Sequence, residues 1–223
     1  MPIQDGRQVS PTLDGIRRDH RERYCLAATL IPDHAWVLDV ACGIGYGSRI
    51  MAELARPEMI IGVDISPDAI GYGLEHYHHP RVNLLCGDAL KLDLGGQRFD
   101  VIVSFETLEH IEEDRAFLAN LRRLLAPEGL LIISTPNEDV LPFDPSYYAY
   151  HVRHYRSAEF TRLLADGGFG LIAAYTQHDR ETGNIRRGLG GAFDIAVCAS
   201  AEAIYGRGAI SHDIAARGLE VVR

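Results

Sequence analysis

The chain has 223 residues, 47% of them hydrophobic and 24% charged, which is the make-up of a folded globular protein with one sizeable core and excludes a disordered or fibrous chain. Formal net charge is −9 and the 22 Lys and Arg residues are scattered, so the basic footprint of a nucleic-acid binder is missing and the balance suits a ligand carrying positive charge. No stretch approaches the ~18 apolar residues of a membrane span and the N-terminal residues lack a signal-peptide core, so no membrane partner is expected and the expected compartment is cytoplasmic. Cys25, Cys42, Cys86 and Cys198 are widely spaced without a CxxC pair, and reduced, buried thiols are expected.

Apolar runs of strand length alternate with helical patterns, the signature of βα units wound into a mainly parallel sheet. The first strand is expected at 35–41, followed by a helix from about Ser48 to Leu54. The second strand is expected at 59–65; Ser66 then caps a helix whose first turn carries Pro67, where a missing N–H costs nothing. Strands three, four and five fall at 82–88, 99–105 and 129–136, each expected as a continuous β-branched run of the kind buried on both faces. Between them Phe117, Leu118, Leu121, Leu124 and Leu125 recur at helical spacing in a helix expected to end at Pro127 and Gly129. Residues 137–156 break the rhythm with prolines, tyrosines and histidines and read as an excursion over the sheet's carboxyl edge. A capped helix from Ser157 and strands at 169–177 and 192–199 complete seven strands in one domain covering 1–223, with a Gly/Arg-rich loop between the last two.

The turn after the first strand, LDVACGIGYGS (38–48), holds three glycines in five positions. In open parallel sheets ligands bind beyond the carboxyl ends of the strands, where a glycine-rich first turn lets the backbone approach them. Gly43 and Gly45 are expected to clear space for a ligand, and Gly47 to let the following helix pack tightly. Asp64 closes the second strand 21 positions after Gly43, where a carboxylate can accept from both hydroxyls of a ribose, and Asp88 closes the third. A core has no use for carboxylates at successive strand ends, because a buried unpaired charge is costly or neutralises.

These residues resemble the class I S-adenosylmethionine-dependent methyltransferases over about residues 20 to 200. VLDVACGIGYG is similar to the family's first motif, GVDIS to its acidic ribose loop, GDAL to its adenine loop, FDVIVSFETLEHI to its fourth motif and LRRLLAPEGLLIISTPN to its fifth-strand motif. The resemblance implies a Rossmann-like three-layer α/β sandwich, its seven-stranded, mostly parallel sheet having an antiparallel last strand, with S-adenosyl-L-methionine across the first strands and S-adenosyl-L-homocysteine as product. By motif match, Asp39, Gly43 and Gly45 would contact the methionine portion, Asp64 and Ile65 the ribose, and Asp88 and Ala89 the adenine. Ser104 and Phe105 would line the methionine side, and Tyr24, in HRERY, would close over the cofactor's carboxylate. A nicotinamide dehydrogenase shares the sheet and the ribose acid, but the pattern here is GxGxG, not GxGxxG, and no separate substrate domain fits.

Methyl transfer is an in-line displacement for which the enzyme mainly supplies alignment and a dry site, and a hydroxyl or amine acceptor also needs a base titrating near neutrality. ETLEH places Glu106, Glu109 and His110 past the fourth strand. The expected catalytic group is His110 as general base with Glu106 and His151. A second reading makes Glu106, Glu109 and His110 a divalent metal site completed by His151 or His154, similar to small-RNA 2′-O-methyltransferases and some quinone-type O-methyltransferases. In YYAYHVRHYR, the residues Tyr147, Tyr148, Tyr150, His151, Arg153, His154, Tyr155 and Arg156 would form an aromatic, hydrogen-bonding wall for a planar ring or sugar, with Tyr147, Tyr150 and His154 as substrate contacts. HYHH (76–79) reads as a solvated helix end, since nothing acidic or cysteinyl accompanies it. The expected acceptor is an O or N atom of a small molecule: a sugar, quinone or heteroaromatic intermediate. A non-catalytic S-adenosylmethionine-binding protein is the alternative of another class, and nothing in the sequence distinguishes a monomer from a homodimer.

Overall fold

The computed structural model describes residues 8–179 and 181–205. The ends of the expected 1–223 domain lie outside the described residues. Helix α1 (Arg18–Leu30) precedes strand β1 (Trp36–Val40), and α2 (Tyr46–Leu54), β2 (Met59–Asp64), α3 (Pro67–His76), β3 (Val82–Cys86) and β4 (Phe99–Phe105) follow. After a 3-10 turn at Leu108–His110 come α4 (Asp114–Leu124), β5 (Leu125–Pro136), α5 (Ser157–Asp166), β6 (Phe169–Gln177), β7 (Ile185–Arg187), β8 (Phe193–Ser200) and α6 (Ala201–Tyr205).

The strands form one eight-stranded sheet in the order β3-β2-β1-β4-β5-β8-β6-β7. Pairs among β1 to β5 are parallel, while β8 runs antiparallel to β5 and β6, and β7 antiparallel to β6. Seven strands are expected from the sequence; the eighth, β7, is a three-residue edge strand inside the Gly/Arg-rich loop. The order reverses between β1 and β4, so a crevice opens past their carboxyl ends.

Both sheet faces are covered because the strands alternate two apolar sets. Val37, Val101, Val103, Leu130, Ile132, Ile195 and Val197 face a core shared with α1, α2 and α3. Leu38, Ile102, Leu131, Ile133, Ala196 and Cys198 face a second core built on Phe117, Leu118, Leu121 and Leu124 of α4 and Phe160, Leu163 and Leu164 of α5. Strand β3, at the edge of the sheet, departs from the expected burial on both faces and is exposed at Asn83, Leu85 and Cys86. Helix α3 starts as expected, with the Ser66 hydroxyl accepting from the Ala69 amide and Pro67 in the first turn. Helix α4 ends at Leu124, three residues before Pro127 and short of the expected boundary, because the residue preceding a proline is driven out of helical dihedrals. Strand pairing of β5 with β4 begins at Leu125, slips, and becomes regular from Leu130. No described helix is long and apolar enough to cross a membrane.

Candidate active site

A cleft of about 1000 Å³ opens across the carboxyl ends of β1 to β4. One end is bounded by the loops after β1, β2 and β3. There Asp64, 2% exposed, receives the Gly43 amide on Oδ2 and the Ser66 amide on Oδ1, both at 2.9 Å, so one carboxylate pins the glycine turn to the start of α3. Gly43 is left-handed (φ 59°), as are the non-glycine residues Ala41 (φ 57°) and Glu106 (φ 51°) at the ends of β1 and β4. Such backbone persists in non-glycine residues where the surroundings over-determine it, and it clusters at binding sites. Asp88 folds into an Asx turn, accepting from the Leu90 amide at 2.9 Å, and pairs with Lys91 at 3.2 Å; the amide bond first, then Lys91, holds its carboxyl below the usual range. Ile65, 66% exposed, and Ala89 complete this end.

The middle of the cleft is walled by Tyr24, Tyr46 and Phe105. Tyr24 lies edge-on to both neighbours, with ring centroids at 5.6 and 5.0 Å respectively. Beside it stands a residue to which the sequence assigned no role. Arg23 is 1% exposed; one guanidinium nitrogen donates to Gln177 Oε1, the group lies 3.8 Å from Asp19 and 5.0 Å over the Phe193 ring, and Nη2 has no hydrogen-bond partner among the described residues. A buried guanidinium with an unmet N–H on a cleft wall is a ready receptor for a carboxylate. The signal was present in HRERY: arginine is almost never buried unless paired, and Arg23 sits on the face of α1 that also buries Asp19, Tyr24 and Ala27.

At the far end the turn after β4 brings Glu106, Glu109 and His110 to the cleft, as expected. The Ser134 hydroxyl donates to Glu106 Oε1 at 2.7 Å. Glu109 is 1% exposed, its Oε1 has no hydrogen-bond partner among the described residues, and burial, then the neighbouring Glu106, pushes its carboxyl well above the ordinary range. The excursion delivers His151, whose ring lies 4.6 Å from that of His110, and one potential ligand atom from each of Glu109, His110 and His151 falls within 4.8 Å of the others. Tyr147 and Tyr150, 72% and 55% exposed, stand at the mouth.

Four expected site residues stand outside this lining. Asp39 is fully buried: it shares a strand face with Val37, beneath α2, where the Ser48 hydroxyl donates to it at 2.6 Å and the Tyr24 hydroxyl at 3.5 Å. Burial pushes its carboxyl up to about 7 against those bonds. Gly45 clears space for Leu84: a Cβ there would meet Leu84 Cδ1 at 2.7 Å with φ at 79°. Ser104 is fully buried. His154 is buried behind His151, their ring nitrogens 2.7 Å apart. Of the expected aromatic wall, Arg153 and Tyr155 instead anchor the excursion: both donate to Asp114 Oδ2 at 3.0 Å, and Arg153 also donates to the Glu112 carbonyl. In HYHH, the His78 carbonyl accepts from Arg49, and the His79 ring from the Arg81 amide.

Residues 38–133 match the family model described as a methyltransferase domain. A Mycolicibacterium smegmatis protein named "Probable S-adenosylmethionine-dependent methyltransferase" is 34% identical over 60% of this chain and 51% of its own length. A ubiquinone biosynthesis O-methyltransferase of Coxiella burnetii is 30% identical over 61% of this chain and 64% of its own. The chain therefore spans about half to two thirds of the length of these relatives. The fold is shared with the N-methyltransferase NodS from Bradyrhizobium japonicum, solved with S-adenosylhomocysteine, at TM-score 0.64 and 18% identity over 82% of this chain and 88% of that one. With the eight-stranded sheet and the glycine turn pinned to the acid of β2, these matches make residues 38–133 similar to a methyltransferase domain and the chain similar to S-adenosylmethionine-dependent methyltransferases.

Proposed function

We propose that this chain binds S-adenosylmethionine in the cleft and transfers its methyl group to an oxygen or nitrogen of a small molecule such as a sugar, a quinone or a heteroaromatic compound. The observation that carries this reading is the Asp64 carboxylate, fixed by the Gly43 and Ser66 amides, at one end of a cleft whose other end gathers Glu109, His110 and His151. The bound sulfonium supplies an electrophilic methyl carbon and loses its charge on transfer. Asp64 and Ile65 hold the ribose, and Asp88 and Ala89 flank the adenine. The Gly43 backbone and the Arg23 guanidinium hold the amino-acid tail, with the Tyr24 ring excluding water beside it. His110, supported by Glu106 and His151, accepts the proton that the acceptor loses, and Tyr147 and Tyr150 give the acceptor flat faces to lie against. The relatives named as ubiquinone biosynthesis O-methyltransferases support oxygen as the acceptor atom. Calorimetric titration with S-adenosylhomocysteine tests the reading: the wild type gives a saturable heat that Asp64→Ala abolishes. Absence of heat with the wild type overturns it.

The grouping of Glu109, His110 and His151 supports a second reading in which they hold a divalent cation. The donor set fits: one carboxylate oxygen and two imidazoles, each of whose Nδ1 atoms is engaged by an outer partner, Tyr150 O for His110 and His154 for His151. A cation there would lower the pKa of a coordinated hydroxyl. Turnover unchanged after exhaustive chelation, with no cation detected by elemental analysis of the purified protein, removes this reading and leaves the first intact.

A further inference from the structure

Two imidazoles reach the acceptor end of the cleft, and hydrogen bonds on their outer edges decide where each keeps its lone pair. His110 Nδ1 lies 2.7 Å from the Tyr150 carbonyl oxygen. A carbonyl only accepts, so His110 Nδ1 carries the proton and the neutral ring keeps its lone pair on Nε2. His151 Nδ1 meets His154 Nε2 at 2.7 Å. Two neutral imidazole nitrogens bond only when one is protonated and the other is not, and that choice is made one step further back. His154 Nδ1 lies 2.6 Å from the Leu141 carbonyl oxygen and must donate to it. His154 Nε2 is then the acceptor, His151 donates from Nδ1, and the His151 lone pair stands on Nε2, the opposite edge of the ring.

We infer that His154 is a positioning residue that reads the Leu141 carbonyl and fixes His151, which lines the acceptor end of the cleft, as the Nδ1–H tautomer with its lone pair on Nε2. A histidine left to itself favours the proton on Nε2, the tautomer that would put an N–H in place of this lone pair. The relay is held rigidly. His154 is 7% exposed and lies between Tyr148, 4.6 Å away, and Phe143, 5.5 Å away, and Tyr148 also stacks on His151 at 5.0 Å and 27°. The same lone pair serves a proton acceptor or a metal ligand, so the inference rests on the proposed methyl-transfer site but not on the choice between its two readings.

The test is two-bond 1H–15N correlation of the His151 ring in 15N-labelled protein, together with turnover and S-adenosylhomocysteine affinity, for the wild type, His154→Phe and His154→Gln. The phenyl ring keeps the volume and removes the relay, whereas a glutamine carboxamide can accept from His151 and donate to Leu141. Expected are an Nδ1–H pattern in the wild type, loss of it in His154→Phe with a fall in kcat of about 10- to 100-fold and unchanged affinity for the spent cofactor, and recovery of both in His154→Gln. An Nε2–H pattern on His151 in the wild type overturns the inference even if His154→Phe fails to fold, as does an unchanged pattern and kcat in His154→Phe. A wild type that takes up no S-adenosylhomocysteine removes the proposed function while leaving the tautomer measurement readable.

Discussion

Gly47 lies directly beneath the Tyr24 ring: a Cβ built on it would come within 2.1 Å of Tyr24 Cζ. The ring cannot easily retreat, because Phe105 and Tyr46 flank it and its hydroxyl reaches Asp39. Gly47→Ala is therefore expected to destabilise the fold by about 1–3 kcal/mol, the range for an inserted methyl in a packed core. Tyr24→Ala should absorb most of that cost, so the double variant, compared with the two single ones by denaturant unfolding, yields a favourable coupling energy. Additive single costs would show that the glycine serves the helix alone.

Much of this arrangement is legible in the sequence, and the exceptions have physical causes. The parallel strands are readable because β1, β4 and β5 are built on short apolar runs at 36–38, 101–103 and 130–133, and the loops at their ends inherit their positions from the fold. Helix α1 escapes such reading because its buried face carries Asp19 and Arg23, which no apolar periodicity registers. Strand β7 is three residues long, two of them arginine, and is defined by pairing with β6 alone. Asp39 and Gly45 stand in a motif whose position marks the site, but a strand's two-residue period sends Asp39 under α2, and the turn sends Gly45 against Leu84. His154 shows the limit from the other side: the sequence puts it beside His151 without saying which ring lies in front.

The Arg23 guanidinium predicts a ligand-dependent penalty. Charge-assisted hydrogen bonds contribute about 1.5–3 kcal/mol, so Arg23→Met is expected to weaken S-adenosylhomocysteine binding by about 10- to 150-fold. Affinity for 5′-methylthioadenosine, which has no carboxylate, should change little, and Arg23→Lys should not rescue, because an ammonium cannot serve Gln177 and a carboxylate with one planar fork. Equal losses for both nucleosides, measured by calorimetry, would assign Arg23 to packing instead.

Asp39 predicts a pH signature in stability. Its carboxyl is raised by burial to about 7, whereas an unfolded aspartate titrates near 3.9, so between those values the folded chain binds the extra proton. Stability from this group is present in full below about pH 4 and is lost as pH rises towards 7. Asp39→Asn removes the titration while keeping a partner for Ser48. The unfolding free energy of Asp39→Asn relative to wild type should therefore improve from pH 4 to pH 8, by an upper bound on the order of 4 kcal/mol at 1.36 kcal/mol per unit. A pH-independent difference between the two in urea unfolding would mean that Asp39 titrates normally.

The anchoring of the excursion predicts an effect confined to the acceptor. Arg153 and Tyr155 converge on Asp114 Oδ2, the Val152 amide donates to the Glu109 carbonyl at 2.7 Å, and His110 bonds to Tyr150 O, so the segment that carries Tyr147, Tyr150 and His151 is tied to the turn that carries the candidate base. Burial, followed by Asp114, pushes the Tyr155 phenol up, which keeps it a donor at working pH. None of these anchoring contacts involves the nucleoside end of the cleft. Asp114→Ala is expected to lower kcat/KM for the acceptor by about 10- to 100-fold, the scale of a misplaced reacting pair, while the KM for S-adenosylmethionine stays within about twofold. Arg153→Leu should do the same more weakly, because Tyr155 still holds Asp114. Steady-state kinetics with each substrate varied in turn separates the outcomes, and a matching loss in both KM values would mean that the excursion shapes the whole cleft and not the acceptor end alone.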